Sequence, residues 1–91
     1  MPISIEEFRR LPNLEGIKEF KLAWQVHEAI SKRPSSVFEI AQVLDRRVDK
    51  VVSILNQLMR RGFVGFRIAP NNEVRFYWVQ TLEGEPALRD K

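Results

Sequence analysis

The chain has no cysteine. That excludes disulfides, thiolate metal sites and thiol nucleophiles, and removes any sign of an oxidising compartment. A single histidine, His27, is too few for a transition-metal site without thiolates beside it. The four glycines form no phosphate-cradling loop, and no nucleophile motif occurs. Glu6-Glu7 are helix neighbours that do not face one another, and Glu83 and Glu85 lie in a segment with no apolar period, so neither pair suits acid–base work. We expect no enzyme and no cofactor. No stretch approaches the ~20 apolar residues of a membrane span, and Met1 to Glu7 has no basic segment leading into an apolar one. The expectation is a cytoplasmic protein with no membrane partner.

What remains is 91 residues, 44% hydrophobic and 30% charged, the composition of one globular domain. So short a chain buries only ~60–65% of the surface its unfolded form exposes, so a dimer interface would help it. The net charge is +3, but its distribution is uneven. Residues 31–61 carry seven basic and three acidic side chains, whereas 1–30 carry four and five, and 80–91 two and three. A polyanionic partner would meet the middle of the chain.

Ser4 with Glu7 forms a capping-box pattern, which predicts a short helix over Ile5 to Leu11 with Ile5, Phe8 and Leu11 on its apolar side and Pro12-Asn13 ending it. Ile17, Phe20, Ala23, Trp24, His27 and Ile30 recur at helical spacing and predict a long helix to Lys32, with Trp24 in the core. Ser36 with Glu39 repeats the capping box before Val37, Ile40, Ala41 and Leu44. Val48, Val51, Val52, Leu55, Leu58 and Met59 predict a further helix over 47–61, closed by Gly62. Phe63 to Ile68 and Glu73 to Val79 then alternate with period two around Pro70-Asn71-Asn72, the pattern of a β-hairpin. This divides the chain into an N-terminal helix and linker over 1–16, a main unit over 17–79 and a loose tail over 80–91.

The capped stretch Ser36-Val37-Phe38-Glu39-Ile40-Ala41-Gln42-Val43-Leu44, followed by Val51-Val52-Ser53-Ile54-Leu55-Asn56-Gln57-Leu58-Met59-Arg60-Arg61-Gly62-Phe63-Val64, resembles a winged helix-turn-helix domain from about Phe20 to Val79. Small bacterial and archaeal transcription regulators of the MarR and ArsR groups are the most similar. The resemblance implies an α+β fold, a three-helix bundle with a two-stranded wing, to which the N-terminal helix is extra. It also implies a double-stranded DNA partner, with the 48–61 helix in the major groove. Arg46, Arg47 and Lys50 would then meet phosphates or guanine acceptors, Ser53 a phosphate, Gln57 or Asn56 an adenine edge, and Arg67, Asn71, Asn72 and Arg75 the adjacent backbone or minor groove beside the wing. Arg60 and Arg61, in the last turn, suit the helix dipole instead.

Tyr77 and Trp78 point to opposite faces of a strand, so one of them needs cover. With Phe8 of the extra helix they are the expected homodimer interface. The reading of a different class is a protein-interaction module of a transcription, replication or membrane-remodelling assembly, working through the apolar side of the hairpin. A third is single-stranded nucleic acid stacked on Tyr77 or Trp78.

Overall fold

The computed structural model describes residues 4–79. Both serine caps form there. Ser4 Oγ accepts from the Glu7 N–H and Glu7 Oε1 from the Ser4 N–H, at 3.2 and 3.3 Å, opening α1, Ile5–Arg9. Ser36 and Glu39 make the same exchange at 3.2 and 3.1 Å and open α3, Val37–Leu44. Between them runs α2, Phe20–Lys32, and after α3 runs α4, Val48–Arg60. The described residues are thus α+β, four helices followed by an antiparallel hairpin of β1, Val64–Ile68, and β2, Val74–Trp78.

The helices depart from their expected bounds where tertiary contacts intervene. α2 begins three residues after Ile17 because Glu19 takes a left-handed conformation, φ 55°, and turns the chain into the helix without a side-chain cap. α1 stops at Arg9, two residues before Leu11. On α4 the buried stripe is Val51, Ile54, Leu55 and Leu58, so the helix is rotated from the expected face and Val48 and Val52 look outward. Trp24 flanks the core instead of filling it.

Gly62 takes φ 84°, as its place after α4 requires. The hairpin loop is equally well specified. Asn72 N–H donates to Ala69 O at 2.8 Å with Pro70 at the first corner, and Asn72, at φ 68°, supplies the left-handed residue that returns the chain to β2. Asn71 Oδ1 accepts from the Glu73 N–H at 3.0 Å. On the outer face the Tyr77 ring lies over Gly65, where a Cβ would come within 2.8 Å of it.

The core gathers Leu22, Val26 and Ile30 of α2, Ile40 of α3, the buried stripe of α4, Phe63 and Val64. Phe8 of α1 is fully buried in the same cluster and Leu14 is buried with it. Phe8 stacks on His27 at 5.2 Å and tilts against Trp78 at 6.0 Å, while Trp78 stacks on Phe63 at 5.3 Å and meets His27 edge-on at 4.4 Å. These contacts bear on two expectations. Of the expected N-terminal unit over 1–16, Phe8 and Leu14 pack into the core of the main unit, and of the expected interface residues Phe8 is fully buried within its own chain while Trp78 is partly buried against the core. His27 is 2% exposed, and desolvation lowers its pKa to about 4. The expected tail, 80–91, lies outside the described residues.

Candidate nucleic-acid interface

α3 and α4 are joined by only three residues, Asp45, Arg46 and Arg47. Asp45 makes the turn at φ 55°, its N–H donating to Gln42 O at 3.3 Å, and the Arg46 N–H donates to Ala41 O at 3.0 Å. This closes the C-terminus of α3 and leaves every residue from Asp45 to Lys50 exposed. The buried stripe of α4 then decides what else looks outward. With Val51, Ile54, Leu55 and Leu58 inside, Ser53 and Asn56 are exposed one turn apart on the opposite side.

Arg46, Arg47, Lys50, Ser53 and Asn56 therefore share the exposed start and outer side of α4. Arg46 has no side-chain partner among the described residues. Arg47 Nη2 lies 3.1 Å from Asp49 Oδ2, and Lys50 Nζ lies 3.0 Å from Glu19 Oε2. Both are surface pairs of the kind worth about 0–1 kcal/mol, so a phosphate can displace either carboxylate cheaply. The predicted Gln57 is not in this group. It is half-buried, and its Oε1 accepts from the Lys18 N–H at 3.3 Å, fixing the approach to α2.

The hairpin residues divide in the same way. Arg67 and Arg75 face each other across the strands. Arg67 is exposed and has no partner among the described residues, and Asn71 and Asn72 are exposed at the loop. Arg75 is committed: its guanidinium holds Glu73 at 2.8 Å, Glu39 at 3.2 Å and Pro34 O at 3.1 Å, with 27% of the side chain exposed. That arrangement places two carboxylates beside the arginine and relieves the like-charge pairing with Arg67.

Three positioning contacts had no signal in the sequence. Glu39 caps α3 and holds Arg75 with the same Oε1, tying the start of that helix to β2. Glu19, next to α2, reaches α4 through Lys50. Arg61 does not merely complement a dipole. Its Nη1 donates to Asn13 O at 3.0 Å and Glu15 O at 2.7 Å, while Asn13 Nδ2 donates to Arg61 O at 2.7 Å, so the segment before α2 is clamped to the end of α4. Only the capping role of Glu39 was legible, because capping is local and the other partners are 31 to 48 residues away in sequence.

Among the described residues no group of three or more histidine and carboxylate side chains is placed to hold a metal ion. No helix there is long and apolar enough to cross a membrane. No protein-family model matches the chain, and neither the curated proteins nor the solved structures contain a match to it.

Proposed function

We propose that this protein is a winged helix-turn-helix DNA-binding protein, a small regulator of transcription, with α4 in the major groove and the hairpin as its wing. The observation that carries this reading is the three-residue α3–α4 connection, which leaves Arg46, Arg47, Lys50, Ser53 and Asn56 together on the outward start of a helix whose other side is core. A helix presented by its N-terminal half suits entry into a groove about 12 Å wide. Arg46, Arg47 and Lys50 contact phosphates and set the register, and Ser53 and Asn56 reach base edges. Arg67, Asn71 and Asn72 meet the neighbouring backbone. Gln57 and Arg75 keep their structural bonds and make no contact.

The test is fluorescence anisotropy of a labelled random-sequence duplex over a series of salt concentrations. On this reading log K falls linearly with log salt, with a slope of about −0.9 for each phosphate neutralised. The double variant Arg46→Glu with Lys50→Glu abolishes binding, and Arg75→Gln leaves the slope unchanged. Absence of binding at low salt defeats the proposal.

A second reading, a protein-docking module, is favoured by one observation. Phe66, Ile68 and Val74, on one face of the hairpin, are exposed. On that reading the charge-reversed protein still finds its partner, and substitution of Ile68 does not.

A further inference from the structure

Among the described residues β1 is paired along one side only. Val79 N–H donates to Phe63 O and Ala69 N–H to Glu73 O, both at 2.8 Å. With the register that sets Gly65 against Tyr77 and Arg67 against Arg75, the alternating antiparallel pattern turns the backbone N–H and C=O of Gly65 and Arg67 toward β2. Those of Val64, Phe66 and Ile68 turn away from it. The equivalent outward groups of β2 at Phe76 are taken by Ser35, through bonds of 2.8 and 3.1 Å. None of the described residues takes those on β1.

The side chains at this free edge are apolar as well. Val64, Phe66 and Ile68 share the sheet face with Val74, Phe76 and Trp78, and only its inner end reaches the core. Beyond it Phe66 is 56% exposed, Ile68 64% and Val74 40%, and the Phe66 and Phe76 rings stand 6.4 Å apart. A two-stranded ribbon is marginal without further strands, and natural sheets cover or charge an open apolar edge. Here only Arg67 guards it, and its side chain is on the other face.

We infer that a second copy of this chain covers the edge, with β1 pairing to β1 of its partner in antiparallel fashion about a two-fold axis at Phe66. The strand is self-complementary in that register. Phe66 opposes its own counterpart, and Val64 opposes the partner's Ile68, so every outward N–H on these residues meets a carbonyl and all the apolar side chains fall on one face. Arg67 falls opposite the partner's Gly65, beside the Tyr77 ring that lies over that glycine, where a guanidinium is attracted to the aromatic face. The competing two-fold axis, through Arg67, sets two guanidinium groups directly against each other and is disfavoured. Closed two-fold pairing also leaves no free β1 edge to propagate. This inference does not rest on the DNA reading. If both hold, two copies of α4 are presented with two-fold symmetry, and the wing's DNA contacts fall to Asn71 and Asn72, since Arg67 is taken by the partner's Tyr77.

Sedimentation equilibrium over a concentration series tests it, with a mass of twice 10.7 kDa expected at the upper end. Ile68→Pro removes an outward N–H without touching a β1–β2 bond, and is expected to give a monomer with unchanged far-UV circular dichroism and thermal midpoint. Should that variant fail to fold, Ile68→Lys serves in its place. Because the chain has no cysteine, Phe66→Cys is a unique reporter. The axis sets the two residues about 5.5 Å apart at Cα, within disulfide range, so mild oxidation gives a covalent dimer. Phe38→Cys, more exposed still but on α3, does not. A monomer at every concentration overturns the inference, as does a dimer that survives Ile68→Pro and cross-links no better through Phe66→Cys than through Phe38→Cys.

Discussion

His27 sits where a charge is least welcome, with aromatic rings of Phe8 and Trp78 against it and its Nδ1 3.3 Å from Ser31 Oγ. Burial lowers its pKa from 6.5 to about 4. The unfolded chain therefore binds the extra proton first as pH falls, and stability is lost between about pH 6.5 and pH 4. A shift of this size corresponds to ~3 kcal/mol, a large share of what a small domain has. Urea denaturation of the wild type across that range is expected to show the loss. In His27→Phe, which keeps a ring in the cluster, the curve is flatter by that amount, because every other group is common to both proteins. Equal slopes for the two proteins would remove His27 as the cause. The position of this histidine was legible, since it falls on the apolar stripe of α2. Its depressed pKa needed the rings of α1 and β2, which no periodicity within α2 reveals.

At the scale of elements, α3 shows how far local chemistry goes. Its start is written in Ser36 and Glu39 and was legible to the residue, whereas its end is made by the left-handed turn at Asp45, which the sequence did not single out. α2 shows the opposite. Its apolar period runs back to Ile17, but Gln57 and Lys50 of α4 hold Lys18 and Glu19, and the helix starts later. The outward side of α4 was harder still. Val52 and Ile54 are both apolar and β-branched, and only packing decides that Ile54 goes in and Val52 out. Of the expected contact residues, Gln57 and Arg75 were indistinguishable from their neighbours until long-range bonds claimed them. Glu39 gives the element scale its own prediction. Ser36→Ala removes one cap bond at a buried position and should cost about 1 kcal/mol. Glu39→Gln keeps an acceptor for the Ser36 N–H but lifts the charge from Arg75, and should cost less, because that pair is partly exposed. Chemical denaturation of both variants checks the order. A larger loss in Glu39→Gln would mean that the link to β2, and not the cap, holds this end of the helix.

At the scale of the molecule, the N-terminal segment is where the sequence misleads most. Residues 1–16 have their own cap, their own short helix, a proline and a glycine before the next element, all the local marks of an appendage. Yet α1 is one of the walls of the core. Phe8 packs with α2 and β2 and meets Phe20 as well, at 5.3 Å, while the Arg9 guanidinium lies over the Phe20 ring at 4.7 Å. Leu14 is buried behind it, and the Asn13–Arg61 clamp fastens the segment to the end of α4. A chain with so little interior cannot replace a phenyl ring at its centre. Phe8→Ala should therefore cost ~3–5 kcal/mol, the ordinary consequence of removing a fully buried phenylalanine, and bring the protein close to its unfolding threshold at room temperature. Arg61→Gln loosens the clamp from outside and should cost far less. The comparison separates a core wall from a tethered arm: an arm would unfold locally in Phe8→Ala and leave the thermal midpoint of the remaining helices unmoved. If α1 is a wall, helices and hairpin melt together at a lowered midpoint, with the fluorescence of Trp78 in a Trp24→Phe background reporting the hairpin end and far-UV circular dichroism reporting the helices.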